Sequence, residues 1–137
     1  MDSLLDANVV SQRTKKVPDA RVVSWLMGVD SSELYLSAVS LAEIAFGIEE
    51  MAAGRKRQNF EWWLGHDLRR GFAGRILGVD ERIAEEAGRL TSKAKKAGAT
   101  PEFADALIAA TARVHGLRLA TLNRDHFERL GVELVEF

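Results

Sequence analysis

The chain has 137 residues, enough for one domain, and its 47% hydrophobic and 28% charged side chains are the mixture of a globule with a true core. Nineteen Lys and Arg against twenty Asp and Glu leave a formal charge of −1, which excludes bulk attraction to nucleic acid or anionic lipid while leaving local basic patches open. The absence of cysteine removes disulfides, thiolate metal sites and cysteine nucleophiles, and three histidines make a nitrogen-based zinc site a poor prospect.

No apolar run approaches the roughly 20 residues of a membrane span, and no basic stretch precedes an apolar one at the N-terminus, so no membrane association and a cytoplasmic location are expected. Ser3-Leu4-Leu5 reads as a short strand stopped by Asp6. Pro18-Asp19 opens a helix with Val22, Val23, Trp25 and Leu26 near one face. Leu34 to Val39 reads as a second strand, and from Ser40 the spacing of Leu41, Ile44, Ala45 and Ile48 turns helical. Arg55 to Arg57 lead into an amphipathic segment with Trp62 and Trp63. Ile76 to Val79 is a brief strand, and a helix from Asp80 to about Lys96 is closed by Gly98. Thr100-Pro101 carries a helix-start signature, and that helix ends before Gly116. Leu117 to Thr121 is a strand, Arg124 to Leu130 a helical turn, and Val132 to Val135 a last strand. Strands alternating with helices predict an α/β fold, a mainly parallel sheet covered on both faces.

In such a sheet ligand sites form at the carboxyl ends of the strands. Asp6 stands there, where a turn or helix cap would also suit it. Glu43 is a lone charge among Leu41, Ala42, Ile44, Ala45 and Phe46, placed by the predicted boundaries in a first helical turn, where the helix dipole favours it. Asp105 begins a small and apolar helical run, with Arg113, the nearest downstream base, eight residues on; a buried carboxylate there needs a partner. Leu119 to Asn123 is a strand closing on an amide, with Asp125 just beyond. Taken singly, each has a plain structural explanation. Together they place acidic or amide groups from four remote segments on one rim, where they repel unless a cation intervenes. Hard oxygen donors point to Mg²⁺ or Mn²⁺.

The motifs around these acids resemble a known family. Leu4-Leu5-Asp6-Ala7-Asn8-Val9-Val10-Ser11 is similar to the opening of PIN-domain proteins of the VapC and FitB type, the ribonucleases of bacterial toxin–antitoxin pairs. Ser37 to Gly47 resembles the family's second acidic motif, Pro101 to Ala112 the third and most specific, and Leu119 to Phe127 the fourth. Order and separation agree over essentially the whole chain. The resemblance implies a three-layer α/β/α PIN domain over residues 1–137 and a metal-dependent endoribonuclease. Asp6, Glu43 and Asp105 are then metal-binding acids, and the fourth group lies within 123–126, either Asn123 as a ligand or Asp125 as a catalytic acid. It also implies a homodimer silenced by a VapB/FitA-like antitoxin, through which a higher assembly binds operator DNA. Two departures stand out: Ala7 where many relatives have threonine, so that Ser40 or Ser3 must supply any needed hydroxyl, and Asn123 where an acid often sits.

Arg55, Lys56, Arg57, Arg69 and Arg70 form one basic segment, and Arg89, Lys93, Lys95 and Lys96 another; either can track RNA phosphates or simply face solvent. Trp62-Trp63 suits a core or dimer contact better than an antitoxin groove. His66, His115 and His126 show no paired spacing and are expected to be non-catalytic, and Asn8 is expected to tie its loop by hydrogen bonds. Two other functions compete: a catalytically weak relative that grips the antitoxin and aids repression, and a phosphoacceptor receiver. The receiver needs adjacent early acids and a lysine ending a late strand, where this chain has Asn123.

Overall fold

The apolar runs become the strands. In the computed structural model, which describes residues 1–137, these are β1 (Ser3–Leu5), β2 (Leu34–Ser37), β3 (Ile76–Leu77) and β4 (Arg118–Ala120). The helices are α1 (Ala7–Val10), α2 (Ala20–Met27), α3 (Ala38–Glu49), α4 (Arg55–Trp62), α5 (Arg69–Gly71), α6 (Glu81–Lys96), α7 (Phe103–His115) and α8 (Arg124–Phe127). A 3₁₀ turn at Ser11–Thr14 extends α1, and a π-helical segment at Trp63–Leu68 joins α4 to α5.

The sheet has the order β3-β2-β1-β4, and all its pairs are parallel. Parallel strands need crossovers, and the helices that make them cover both faces. Alternation along β1 sends Leu4 to one layer and Leu5 to the other. Leu4 packs with Leu119 and with Ile83, Leu90, Ile108 and Phe127 of α6, α7 and α8. Leu5 packs with Leu36, Val9, Val22, Leu26, Leu68 and Phe72 on the α1–α5 side. The predicted three-layer α/β/α architecture is what forms. No helix is long and apolar enough to cross a membrane.

Several boundaries differ from the sequence reading. β2 ends at Ser37, whose hydroxyl accepts from the Val39 amide and starts α3 two residues early. The expected strand at Val132–Val135 contributes a single parallel bridge, Leu134 to Leu119. The Thr100-Pro101 signal lies outside α7, which begins at Phe103 after an extended Glu102 that makes no side-chain cap. Proline favours an extended residue before it, so the helix-start signature marks the approach rather than the first turn. Asp80 caps α6 through the Ile83 amide, and Gly116 ends α7 in the left-handed region at φ 67°, as the pattern suggests. Trp62 is not a core residue; it is 56% exposed and stacks on His66.

Candidate active site

The chain runs β1 to β2 to β3 outward and then returns to β4 on the opposite side of β1. The carboxyl ends of β1 and β4 therefore flank the point where the crossovers diverge, the place where open α/β sheets leave a crevice. Asp6 follows β1 directly at this point and is buried. Its Oδ1 accepts from the Ala7 amide at 2.9 Å, so it does cap α1. Its Oδ2 accepts from Thr121 Oγ1 at 2.7 Å and from Asn8 Nδ2 at 3.3 Å. The capping explanation therefore accounts for Oδ1, while Oδ2 is held towards the β4 end.

Thr121, immediately past β4, is a residue that sequence reasoning missed. It supplies the hydroxyl sought at Ser3 or Ser40, both of which are buried with no hydrogen-bond partner. Asn8 behaves as expected, since its Oδ1 accepts from the Leu122 amide at 3.1 Å and ties the β1 loop to the β4 loop.

Asp105 lies in the first turn of α7 and is also buried. The partner it lacks in sequence comes from α8, where His126 Nδ1 stands 3.4 Å from Asp105 Oδ2. A lone histidine with no paired spacing gave no signal for this contact, because α8 meets α7 only in the folded chain. Glu43 falls in the second turn of α3, since that helix starts at Ala38, so a first-turn dipole does not account for it. Its side chain is exposed.

Burial and neighbouring charge act on all three acids. Burial pushes the Asp6 carboxyl above its ordinary range, against the hydrogen bonds of Thr121, Ala7 and Asn8 and the nearby His126. Burial also raises Asp105, as do the charges of Asp6 and Glu102, while His126 pulls it down. Glu43 is pushed up to about 7, first by desolvation and then by Asp6, Asp105 and Glu102. Glu102 is a second residue the sequence reading did not single out. Glu43 thus feels both Asp6 and Asp105, and Asp105 feels Asp6, as like charges in one region do.

As they stand, no three Asp, Glu or His side chains close on a point that would hold an ion. Asp6 has hydrogen-bond partners and Asp105 has His126 at 3.4 Å, whereas Glu43 has no such partner. The donors are all oxygens, short of positive charge, and suit a hard divalent cation. Asn123 and Asp125 are both exposed. Asn123 sits at the N-terminus of α8 without capping it, and Asp125 borders a cavity of about 280 Å³ together with Asp105, Glu102, His126 and Arg129.

A separate cleft of about 400 Å³, walled by Leu5, Val10, Leu26, Phe72 and Arg75 among others, contains none of the predicted site acids. Its apolar lining belongs to the core on the α1–α5 side.

Known proteins share this arrangement. The family model described as the PIN domain matches residues 3–133. The chain is 36% identical over 132 residues to the VapC ribonuclease Y4jK of Sinorhizobium fredii, covering 96% of this chain and 94% of that one. It is 38% identical over 124 residues to Toxin FitB of Neisseria gonorrhoeae, covering 90% and 89%. The crystal structure of FitAcB from Neisseria gonorrhoeae matches with a TM-score of 0.92 at 36% identity, over 98% of this chain and 96% of that one. With its sheet order, its rim of acids and near full-length likeness all in agreement, the chain belongs to the PIN-domain family, in its VapC/FitB type.

Proposed function

We propose that the protein is the toxin of a type II toxin–antitoxin pair and acts as a Mg²⁺- or Mn²⁺-dependent endoribonuclease that hydrolyses RNA phosphodiester bonds and so arrests growth. The observation that supports this reading is that Asp6, directly past β1, and Asp105, in the first turn of α7, are buried carboxylates near the sheet's switch point, and that Glu43 of α3 feels the charge of both. The names of its relatives, VapC ribonuclease and Toxin FitB, favour cutting over a purely antitoxin-binding role.

Asp6, Asp105 and Glu43 are the residues that would hold the ion. When bound, a divalent ion supplies Lewis-acid polarisation of the phosphoryl oxygen and a more acidic attacking water. Thr121 and Asn8 fix the Asp6 carboxylate so that its Oδ2 keeps one orientation. His126 does the same for Asp105 Oδ2. Glu43, its carboxyl raised to about 7, would have to give up its proton to hold an ion, so ion affinity should rise with pH through about 7. Asp125 or Asn123, on the exposed rim, would orient the attacking water.

A solved relative is described as FitAB bound to a DNA fragment, with a TM-score of 0.91 and 34% identity. By that likeness the chain pairs with a small antitoxin, and the complex reaches operator DNA through it; a homodimer is the proposed core of that assembly. The decisive test is cleavage of total RNA by the purified chain. EDTA should abolish it and Mg²⁺ or Mn²⁺ restore it. Cleavage indifferent to EDTA would defeat the metal-dependent mechanism.

A further inference from the structure

Of the three acids, Glu43 borders the first of a further pair of adjoining cavities. Beside Glu43 lies a cavity of about 270 Å³ whose walls include Asn8, Ser11, Ile44, Phe60 and Trp63. Ser11, Phe60 and Trp63 also border a second cavity, of about 840 Å³, that adjoins the first. Its remaining walls are Thr14, Lys15, Lys16, Lys56 and Asn59, with no Asp or Glu among them. Lys15 and Lys16 follow the 3₁₀ turn after α1, and Lys56 lies in the first turn of α4. All three are exposed.

Their charges are uncompensated. Arg57, the next residue after Lys56, is neutralised by Glu49 at 2.8 Å and Glu61 at 3.3 Å, and Arg89 of α6 by Glu85 and Glu86. Lys15, Lys16 and Lys56 enter no ion pair; the pairs of the α1–α4 region involve Arg21 and Arg57 instead. In a chain of net charge −1, three free ammonium groups around an aromatic floor form a local anion-attracting surface. Phe60 and Trp63 meet edge to face at 6.2 Å and form that floor.

We propose that this trough seats the RNA strand flanking the cleaved bond, with phosphates on Lys15, Lys16 and Lys56 and bases against Phe60 and Trp63. A groove of cations with aromatic platforms is how single strands are bound without base-specific readout. The trough also meets the electrostatic need of the site, because a cluster of carboxylates repels the phosphate it must receive. This assignment rests on the ribonuclease reading above. It keeps Lys56 of the first candidate segment, sets aside Arg57 as spent on acids, and does not draw on Lys93, Lys95 and Lys96, which lie on α6 and line neither cavity.

The test is fluorescence anisotropy of a labelled twelve-nucleotide polyuridine with the full chain in Mg²⁺, across a salt series, together with cleavage of total RNA. The triple variant Lys15→Gln, Lys16→Gln, Lys56→Gln should bind at least about tenfold more weakly at low salt, and its slope of log affinity against log salt should fall by about 2, for three phosphates at ~0.7 each. The charge-matched triple Lys93→Gln, Lys95→Gln, Lys96→Gln should bind like the parent. All six lysines are exposed, and melting curves verify that both variants fold. Unchanged binding and slope in the first triple overturn the proposal and hand the trough to another partner. Equal losses in both triples overturn it too, by reducing the effect to net charge. A parent chain that neither binds nor degrades RNA overturns the ribonuclease reading itself, and the trough assignment with it.

Discussion

The two sides of the candidate site are built on opposite plans. On the β1–β4 side Asp6 and Asp105 are buried, and each carboxylate is gripped, by Thr121, Ala7 and Asn8 in one case and by His126 in the other. On the β2 side Glu43 is exposed, with no hydrogen bond or ion pair, and its carboxyl is raised to about 7. One side has its carboxylates engaged by neighbours; the other has none and feels the charges of Asp6, Asp105 and Glu102. On the proposed reading, two carboxylates with fixed neighbours and one without would together receive the cation.

The comparison breaks most directly at the engaged side. Asp6→Asn or Asp105→Asn should lower RNA cleavage about a thousandfold, the equivalent of about 4 kcal/mol of lost charge stabilisation, and abolish growth arrest in cells lacking the antitoxin. Full toxicity in both variants would remove the acids from the chemistry. Thr121→Val should cost about 1.5–3 kcal/mol of stability, because a buried carboxylate loses its shortest hydrogen bond. It should also lower activity about tenfold through a misoriented Asp6, measured as kcat against Mg²⁺ concentration. A stability loss without any change in Mg²⁺ dependence would make Thr121 structural only.

The Glu43 side is sharpened by pH. The folded protein keeps a proton on Glu43 between its ordinary 4.5 and about 7. Without a divalent ion, stability should therefore fall as pH rises through that window. Glu43→Gln should flatten the decline, by on the order of 1–2 °C in Tm, since exposure screens the interaction. Parallel Tm–pH profiles for the two proteins in EDTA would contradict the repulsion. The smallest effects belong to the rim. Asn123→Asp should raise Mg²⁺ affinity by less than about tenfold, and Asp125→Asn should change kcat by no more than that, as calorimetry and initial rates would show.

Much of this was legible in the chain because it is written locally. Alternating apolar runs and helical stretches, Asp19 and Asp80 as caps, and Gly116 at a left-handed helix end depend on neighbours a few residues away. The odd placement of Asp6, Glu43 and Asp105 was equally visible, as charges where apolar residues surround them. What misled was also local: Ser37 rather than Ser40 starts α3, which moves Glu43 out of the first turn, and Pro101 precedes α7 instead of opening it.

The sequence by itself determined the layered α/β fold and the family, and singled out three candidate acids, since periodicity, capping chemistry and motif spacing are one-dimensional properties. Only the tertiary structure decided which partners those acids have. Thr121 reaches Asp6 across 115 positions, His126 reaches Asp105 from a different helix, and Lys56 joins Lys15 and Lys16 around one cavity. Such contacts arise because parallel strands bring the ends of distant crossovers to one edge, and no local pattern records which side chains will meet there.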